Sequence, residues 1–456
     1  MTVKDYFFCG IGGSGMMPLA LIVAGQGHRV AGSDRSLDQG RTAPKFDWLR
    51  ARGIGLFPQD GSGVTHADQI IVASTAVEDT VPDIVAANQV GAQRLRRADL
   101  LADLFNAAPM GIAVGGTSGK STVTGMIGWI FHALGRDPTV MNGAVMKNFA
   151  SPDAPFASAL VGKGDAFISE VDESDGSIAL YAPDIAVLNN IALDHKSMEE
   201  LRDLFGAFTA KARVAVLNLD NDEVARFPRT HAITYSLGSV AADLMARDIV
   251  ERPDGVDFTV NGHSVSLQVP GKHNVSNALA ALAAAQAAGL DLADAARAIS
   301  GFVGLRRRLE VVGSAKGVTV FDDFGHNPDK ITATLRTLHA FAGRLLIFFQ
   351  PHGYGPLKQM GHELIATFAR EMAAQDALIL CDPVYFGGTV DRSVGSAQIV
   401  AGVVAAGRKA THLPERDACG DWLADHALPG DRIIIMGARD DSLSAFALRL
   451  VDRLSA

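Results

Sequence analysis

Cysteine is scarce in this sequence. Only Cys9, Cys381 and Cys419 occur among 456 residues, with no CxxC pair, so no disulfide framework is expected and a reducing, cytoplasmic setting fits. Basic residues are outnumbered, 41 Lys and Arg against 50 Asp and Glu. The net charge of −9 argues against general nucleic-acid binding, while leaving room for local basic pockets that hold phosphates. Long apolar runs are missing too. The start, MTVKDYFFCGIGG, turns glycine-rich before the apolar region of a signal peptide can form. An alanine-rich run around residues 278–290 is broken by Gln286 and is short for a membrane span, so it reads as a buried or half-buried helix. No membrane association is expected. No repeat period and no low-complexity segment is found.

What is present is alternation. Strand-like apolar runs alternate with helical patterns along most of the chain, which predicts α/β layers built on largely parallel sheets. Strands are expected at Tyr6 to Cys9, His28 to Gly32, Ile112 to Val114, Phe167 to Glu170 and Ile185 to Leu188. A hairpin is expected within Arg252 to Val269, with turns at PDG and NGH, followed by a helix from Asn274 to Ala288. Further strands are expected at Val318 to Phe321, Leu345 to Phe349, Ala377 to Leu380 and Ile433 to Met436. The length exceeds one ordinary core. Breaks near Asn106 to Pro109 and Gly304 to Glu310 divide the chain into three expected domains, 1–107, 108–309 and 310–456.

Two glycine loops carry most of the chemical information. In FFCGIGGSGMMP, residues 7–18, Gly10, Gly12 and Gly15 satisfy GxGxxG between a strand and a helix, and Asp34 ends the next strand where an acid meets a ribose hydroxyl. Glycines let the backbone approach a diphosphate, and the helix N-terminus favours its charge. Any nucleotide diphosphate suits this loop, and so does a tight turn with no ligand. The second loop, in AVGGTSGKSTVTG at residues 113–125, is more demanding. It departs from GxxxxGK[ST], since residue 114 is Val, and forms a tighter GxxxGKS. Lys120 is placed to meet β- and γ-phosphates, and the Ser121 hydroxyl to ligate Mg²⁺.

An acidic stretch follows. EVDESDGS, residues 170–177, sets four carboxylates within six residues at a strand end, a repulsion that a bound Mg²⁺ would offset. Glu170 is the first residue after the apolar run and so best placed to reach Ser121. For Asp172, Glu173 and Asp175 a solvated acidic loop is an equal reading. His195, preceded by Asp194 and just past another strand, is read as a metal ligand because it follows a phosphate loop and an acidic strand end.

Together these residues resemble the Mur ligase family, the ATP-dependent amide-forming ligases of peptidoglycan synthesis. Gly116 to Ser121 reads GTSGKS against the family's GTxGK[ST]. GIGGSGM resembles the uridine-diphosphate loop of the alanine-adding branch, and EVDESD its EADESD. Asn190 with Asp194 and His195 matches N-x-x-x-D-H. Gly271 to Asn277 is similar to G-x-H-N-x-x-N, Gly304 to Arg308 to the arginine motif, and Asp322 to Pro328 to DDYGHHP.

The resemblance implies three α/β domains: a Rossmann-like UDP-substrate-binding domain, a P-loop ATPase-like central ATP-binding domain and a Rossmann-like C-terminal amino-acid-binding domain. It assigns Gly12, Gly13, Ser14, Gly15, Met16, Asp34, Ser74 and Arg97 to the UDP substrate. ATP falls to Gly116, Thr117, Ser118, Gly119, Lys120, Ser121, Thr122, Asn274, Asn277, Arg308 and Asp323, the last two arriving as the third domain closes. Lys120, Glu170, His195 and Arg308 are the implied catalytic residues, with Mg²⁺ on Ser121, Glu170 and His195. The implied reaction joins an amino acid, L-alanine, to the carboxylate of a UDP-N-acetylmuramate-like substrate through an acyl phosphate, in a monomer or homodimer.

The amine end departs from the pattern. The alanine-adding branch has FQPHRYTR, in which two arginines face the amino acid's carboxylate; here Gly353 and Pro356 stand in their places. His326, His352 and Tyr354 remain as pocket residues, with Lys358 and Arg439 as replacement cations. A short muropeptide is therefore an alternative amine substrate, as in a recycling ligase. Lys211 lies past the spacing expected of the family's carbamylated lysine and reads as a helix-surface residue. An NAD(P)-dependent oxidoreductase would use the first loop but leave GTSGKS, EVDESD and Asn277 without purpose. A non-catalytic protein of this shape is hard to square with Lys120, Ser121, Glu170 and His195 together.

Overall fold

The computed structural model describes residues 2–75, 77–192, 196–383, 392–438, 440 and 442–455. The chain divides into two compact units, Met1–Gly304 and Leu305–Ala456. The first contains two sheets and the second contains one.

The N-terminal sheet has strands β1 (Asp5–Cys9), β2 (Arg29–Ser33), β3 (Gly55–Phe57), β4 (Gln69–Ala73) and β5 (Gln93–Arg96), all parallel, in the order β3-β2-β1-β4-β5. Strand β1 explains its own sequence, DYFFC. Tyr6 and Phe8 face the helix Met16–Gly25, while Phe7 and Cys9 face the helix Pro82–Val90. A central strand covered on both faces has no polar side to show. The chain reverses its direction of winding between β1 and β4, which puts the glycine loop and Ser74 at the switch point where open α/β sheets bind ligands.

The second sheet has ten strands: β6 (Met110–Gly115), β7 (Thr139–Met141), β8 (Ala159–Leu160), β9 (Ala166–Glu170), β10 (Ile185–Leu188), β11 (Val214–Asn218), β12 (Ala232–Ser236), β13 (Leu244–Arg252), β14 (Gly255–Val260) and β15 (His263–Leu267). Their order is β15-β14-β13-β12-β11-β10-β6-β9-β7-β8. Strand β6 lies between β10 and β9, with Gly115 beside Leu188 and Val114 beside Glu170. The alanine run belongs to the helix Lys272–Ala287, which packs on the helix Lys120–Ala133; Ala278 through Ala285 are all buried. Small side chains here allow close approach rather than a membrane span.

The expected hairpin is present as β14 and β15, turned at Asn261 and Gly262, both with positive φ as a two-residue type I′ turn requires. The structure adds β13 to it, making a three-stranded antiparallel meander. Strand β13, LMARDIVER, hides in the sequence because its alternation breaks at a bulge near Asp248, itself at φ 52°.

The second unit holds β16 (Glu310–Ala315), β17 (Val318–Asp323), β18 (Leu345–Gln350), β19 (Ala377–Leu380), β20 (Lys409–His412) and β21 (Arg432–Gly437), in the order β16-β17-β21-β18-β19-β20, parallel except for β16. Helices Pro328–His339, Tyr354–Glu371 and Ser396–Ala405 cover one face; Arg416–His426 and Ser442–Ser455 cover the other. No helix among the described residues is long and apolar enough to cross a membrane.

Candidate active site

Three adjacent strand ends build the centre of the first unit. Strand β6 delivers the loop 116–119 and then the helix Lys120–Ala133. Gly116 has φ +127° and Gly119 φ +82°, a region that L side chains avoid. Strand β10 delivers Asn190, whose carboxamide clamps the loop: its oxygen accepts from the Thr117 hydroxyl and the Ser118 N–H, both at 2.8 Å, and its amide donates to the Ser118 carbonyl at 3.1 Å. Thr122 follows in the first helical turn, half-buried.

Strand β9 delivers the acids. The Ser121 hydroxyl donates to Glu170 Oε2 at 2.7 Å, and Asn142 donates to the Ser121 carbonyl at 2.9 Å. Lys120 curls back onto its own loop, donating to the Gly116 carbonyl and to Glu173 Oε2, each at 2.7 Å. Glu173 is only 5% exposed, so this is a sheltered ion pair. The acidic stretch thus separates by role. Burial disfavours the charge on Asp172, but the Ser174 N–H and hydroxyl hold its carboxyl below the usual range. Asp175 accepts from the Ser177 N–H at 2.9 Å and faces Arg97 at 3.9 Å.

Asn277 stands against the phosphate loop: a Cβ built on Gly119 would lie 2.7 Å from Asn277 Oδ1 and 2.9 Å from Asn189 Nδ2. Asn277 also donates to Asn274 Oδ1 at 3.1 Å, and the buried Asn274 donates to the Pro270 carbonyl at 2.7 Å, bracing the start of its helix. Lys211 donates to the Ala179 carbonyl at 2.6 Å. His195, and Asp194 before it, lie outside the described residues.

At the first glycine loop, Gly10 has φ +83°, and the N–H groups of Gly10 and Ile11 donate to the Ser33 carbonyl at 2.8 and 2.9 Å. Asp34, read from its position as a ribose contact, is held against the backbone of its own loop. Its two oxygens accept from the Gly12 and Ser36 N–H groups, both at 2.8 Å, so it braces the loop and caps a short helix. Gly13 and Ser14 are exposed, and Met16 is buried as the first residue of its helix. A Cβ on Gly15 would touch the Arg97 guanidinium at 3.4 Å. Ser74 and Arg97 line one pocket with Thr75, Arg96, Asp175 and Ser177, so the acidic loop shares a pocket with the end of β4.

In the second unit the three consecutive arginines divide their work. Arg307, at φ +59°, is buried and ties Asp322 at 3.4 Å to the Gly437 and Asp440 carbonyls at 2.6 and 3.1 Å. Arg308 lies over the Phe324 ring, 4.8 Å from its centroid. The Asp323 carboxylate accepts from Leu309 N, Gly325 N and the Thr334 hydroxyl at 2.8–2.9 Å.

His326 packs edge-on to His352 with centroids 5.1 Å apart, its Nδ1 2.8 Å from the Phe324 carbonyl. Burial, then the nearby Lys330 ammonium, lower its pKa to about 3. An unfolded histidine titrates near about 6.5, so below that value the unfolded chain binds a proton that the folded chain refuses, and stability is lost as pH falls. His326→Gln is expected to flatten the fall in melting temperature between about pH 6.5 and 5. Parallel profiles for variant and wild type would show that the folded ring takes the proton. Arg439 lies outside the described residues.

Sequence reasoning missed Asn142 and Asn189 and left Glu173 undecided. Each sits one to three residues past a strand end, the one signal they give.

Comparison with known proteins agrees in order along the chain. A model of the Mur ligase family catalytic domain matches residues 5–108, the Mur ligase middle domain 114–285, and the Mur ligase glutamate ligase domain 307–439. The UDP-N-acetylmuramate–L-alanine ligase of Synechococcus sp. strain JA-3-3Ab is 36% identical over 462 residues, spanning 98% of this chain and 87% of that one. The solved UDP-N-acetylmuramate–alanine ligase of Thermotoga maritima superposes with a TM-score of 0.79 at 23% identity, over 98% of both chains. The murein peptide ligase of Psychrobacter arcticus gives 0.71, also at 23% identity, over 99% of both. At those identities the two structures speak to the fold. The chain belongs to the Mur ligase family. Within it, the chain is an enzyme, an ATP-dependent ligase that forms ADP.

Proposed function

We propose that the enzyme joins L-alanine to the carboxylate of UDP-N-acetylmuramate, in the cytoplasm, as a step of peptidoglycan synthesis. The observation that carries this reading is the convergence of Lys120, Ser121, Glu170 and Asn190 from three neighbouring strand ends, beside a glycine loop suited to a second nucleotide.

A carboxylate does not accept an amine directly, because oxide is a poor leaving group. One carboxylate oxygen attacks the γ-phosphorus, the bond to ADP breaks, and the resulting acyl phosphate is attacked by the amine, which loses a proton as phosphate departs. Such a transfer needs position and charge more than covalent help. The Thr117 and Ser118 N–H groups are engaged by Asn190, so the loop 116–119 would meet a phosphate through the helix start that it opens, and Lys120 adds a cation that must leave Glu173. Ser121 and Glu170 supply one hydroxyl and one carboxylate oxygen side by side, a donor set that fits Mg²⁺, which keeps waters and takes phosphate oxygens as further ligands. When bound, Mg²⁺ neutralises charge on the transferred phosphoryl group. His195 is proposed as a third ligand, and Arg308, Asp323, Asn274 and Asn277 as nucleotide contacts.

One further reading has a specific motive. Gly353 and Pro356 stand where the resemblance implies two carboxylate-facing arginines, so the acceptor pocket has changed. Incubating the enzyme with UDP-N-acetylmuramate, ATP, Mg²⁺ and, in turn, L-alanine, glycine, L-serine and the muropeptide tripeptide, and weighing the products, separates the readings. The L-alanine adduct is expected. A tripeptide adduct alone would make the enzyme a recycling ligase, and no adduct with any amine would end both readings.

A further inference from the structure

Glu170 ends β9, which lies between β6 and β7, so its carboxylate is flanked by whatever those two neighbours deliver. On the β6 side stands Ser121, whose hydroxyl donates to Oε2 at 2.7 Å. On the β7 side runs the segment 142–144. The register fixes where it falls: Met141 pairs with Ser169, which brings the next residues of both strands side by side past the sheet edge.

Asn142 pins this segment. It is wholly buried; its N–H donates to the Ser158 carbonyl at 2.9 Å, and its Oδ1 accepts from the Ala144 N–H at 3.0 Å. Its amide donates to the Ser121 carbonyl at 2.9 Å, so one side chain ties the end of β7 to the residue that meets Glu170. Gly143 comes between these anchors. A Cβ built on it would lie 2.1 Å from Glu170 Oε1 and 3.2 Å from Cδ, so the carboxylate fills the space that a side chain there would need. Gly143 does not have positive φ, so the turn itself does not call for glycine. The residue is exposed, and the three atoms nearest to that Cβ all belong to Glu170. A methyl group would push on the far end of one side chain and leave the core alone.

We propose that Gly143 is a positioning residue for Mg²⁺: by carrying no side chain it leaves the room in which the Glu170 carboxylate lies against Ser121, at a place that Asn142 holds fixed. This rests on the reading of Ser121 and Glu170 as donors to the metal. Mg²⁺ tolerates little departure from its preferred arrangement of oxygens, so a small displacement of one donor is costly. Groups that orient a metal's ligands without touching the metal are worth about 10–100-fold in its affinity.

The test measures binding of a non-hydrolysable ATP analogue to the full chain by calorimetry, once with saturating Mg²⁺ and once with EDTA. Wild type is expected to bind more tightly with Mg²⁺. Gly143→Ala is expected to match wild type in EDTA and in melting temperature, and to lose about tenfold of the gain that Mg²⁺ gives. Glu170→Asp, one methylene shorter, supplies the second arm. In the wild-type background it draws the acid away from Ser121 and reduces the gain; in the Gly143→Ala background it makes room for the methyl group and should cost less. The inference is overturned if Gly143→Ala keeps the full gain, if its affinity falls equally with EDTA, or if Glu170→Asp costs the same in both backgrounds. A Gly143→Ala chain that does not fold overturns it too, because the methyl group would then meet more than the end of a side chain. A wild type whose affinity is indifferent to Mg²⁺ overturns the metal reading itself, a result unlike a gain that survives in the variant.

Discussion

Lys120→Ala is expected to lower kcat for ligation by about 10²–10³-fold, the loss typical of one preorganised donor at a site of developing charge. The KM for UDP-N-acetylmuramate should stay near wild type, since the first glycine loop holds none of this charge. The difficulty with such a variant is that two things change at once. Lys120 is the partner of Glu173, which is nearly buried, and removing the lysine strands a carboxylate. Destabilisation of about 1–3 kcal/mol is expected from that alone. Lys120→Ala/Glu173→Gln resolves the two effects: the neutral amide restores most of the melting temperature and none of the turnover. A double variant that regains turnover as well as stability would show that Lys120 matters only as a counter-ion. Substantial ligation by Lys120→Ala itself, measured as ADP release dependent on both co-substrates, would remove the lysine from the chemistry altogether.

The sequence spoke most clearly where the backbone itself is unusual. Gly116 and Gly119 were legible because a loop between a strand and a helix that must adopt positive φ leaves no other residue. Glu170 was legible as the first residue after an apolar run, which fixes both its strand and its end of that strand. Its neighbours were not. Which of Asp172, Glu173 and Asp175 turns toward Lys120 depends on the turns capped by Ser174 and Ser177, and local hydrogen bonds of that kind leave no periodicity to read. Asp34 was placed just past β2, but that it braces the glycine loop was not legible, because its distance from Gly12 is set by how β1 and β2 pair. The arginine triplet shows the same limit. Three like residues in a row cannot announce that Arg307 takes a left-handed conformation and points inward while Arg308 lies on Phe324. Asn142 and Asn189 gain meaning only from contacts with a loop distant in the chain.

Gly119→Ala is expected to weaken binding of a non-hydrolysable ATP analogue by about 10–100-fold, and the reason has two separable parts. Backbone strain is the first. At φ +82° an alanine costs about 1–2 kcal/mol relative to its preferred region, and the loop can relieve this only by leaving the conformation in which it turns into the helix Lys120–Ala133. Collision is the second. The new methyl would sit 2.7 Å from Asn277 Oδ1 and 2.9 Å from Asn189 Nδ2, so at least one carboxamide must turn. Asn189 has little room to yield, being buried, with its carbonyl held by Asn218 and its side chain met by Tyr235. Asn277 is the softer neighbour, tied only to Asn274 among the bonds described for its side chain. Since Asn277 is itself proposed as a nucleotide contact, the steric part is read against the single variant: adding Gly119→Ala to Asn277→Ala should cost less affinity in a calorimetric titration than adding it to wild type, and what remains is the part due to φ. No cost at all in the Asn277→Ala background would mean that strain at Gly119 is negligible. Binding by Gly119→Ala equal to wild type would mean that nucleotide phosphates do not depend on this loop's shape, and the ATP site would have to be sought elsewhere in the chain.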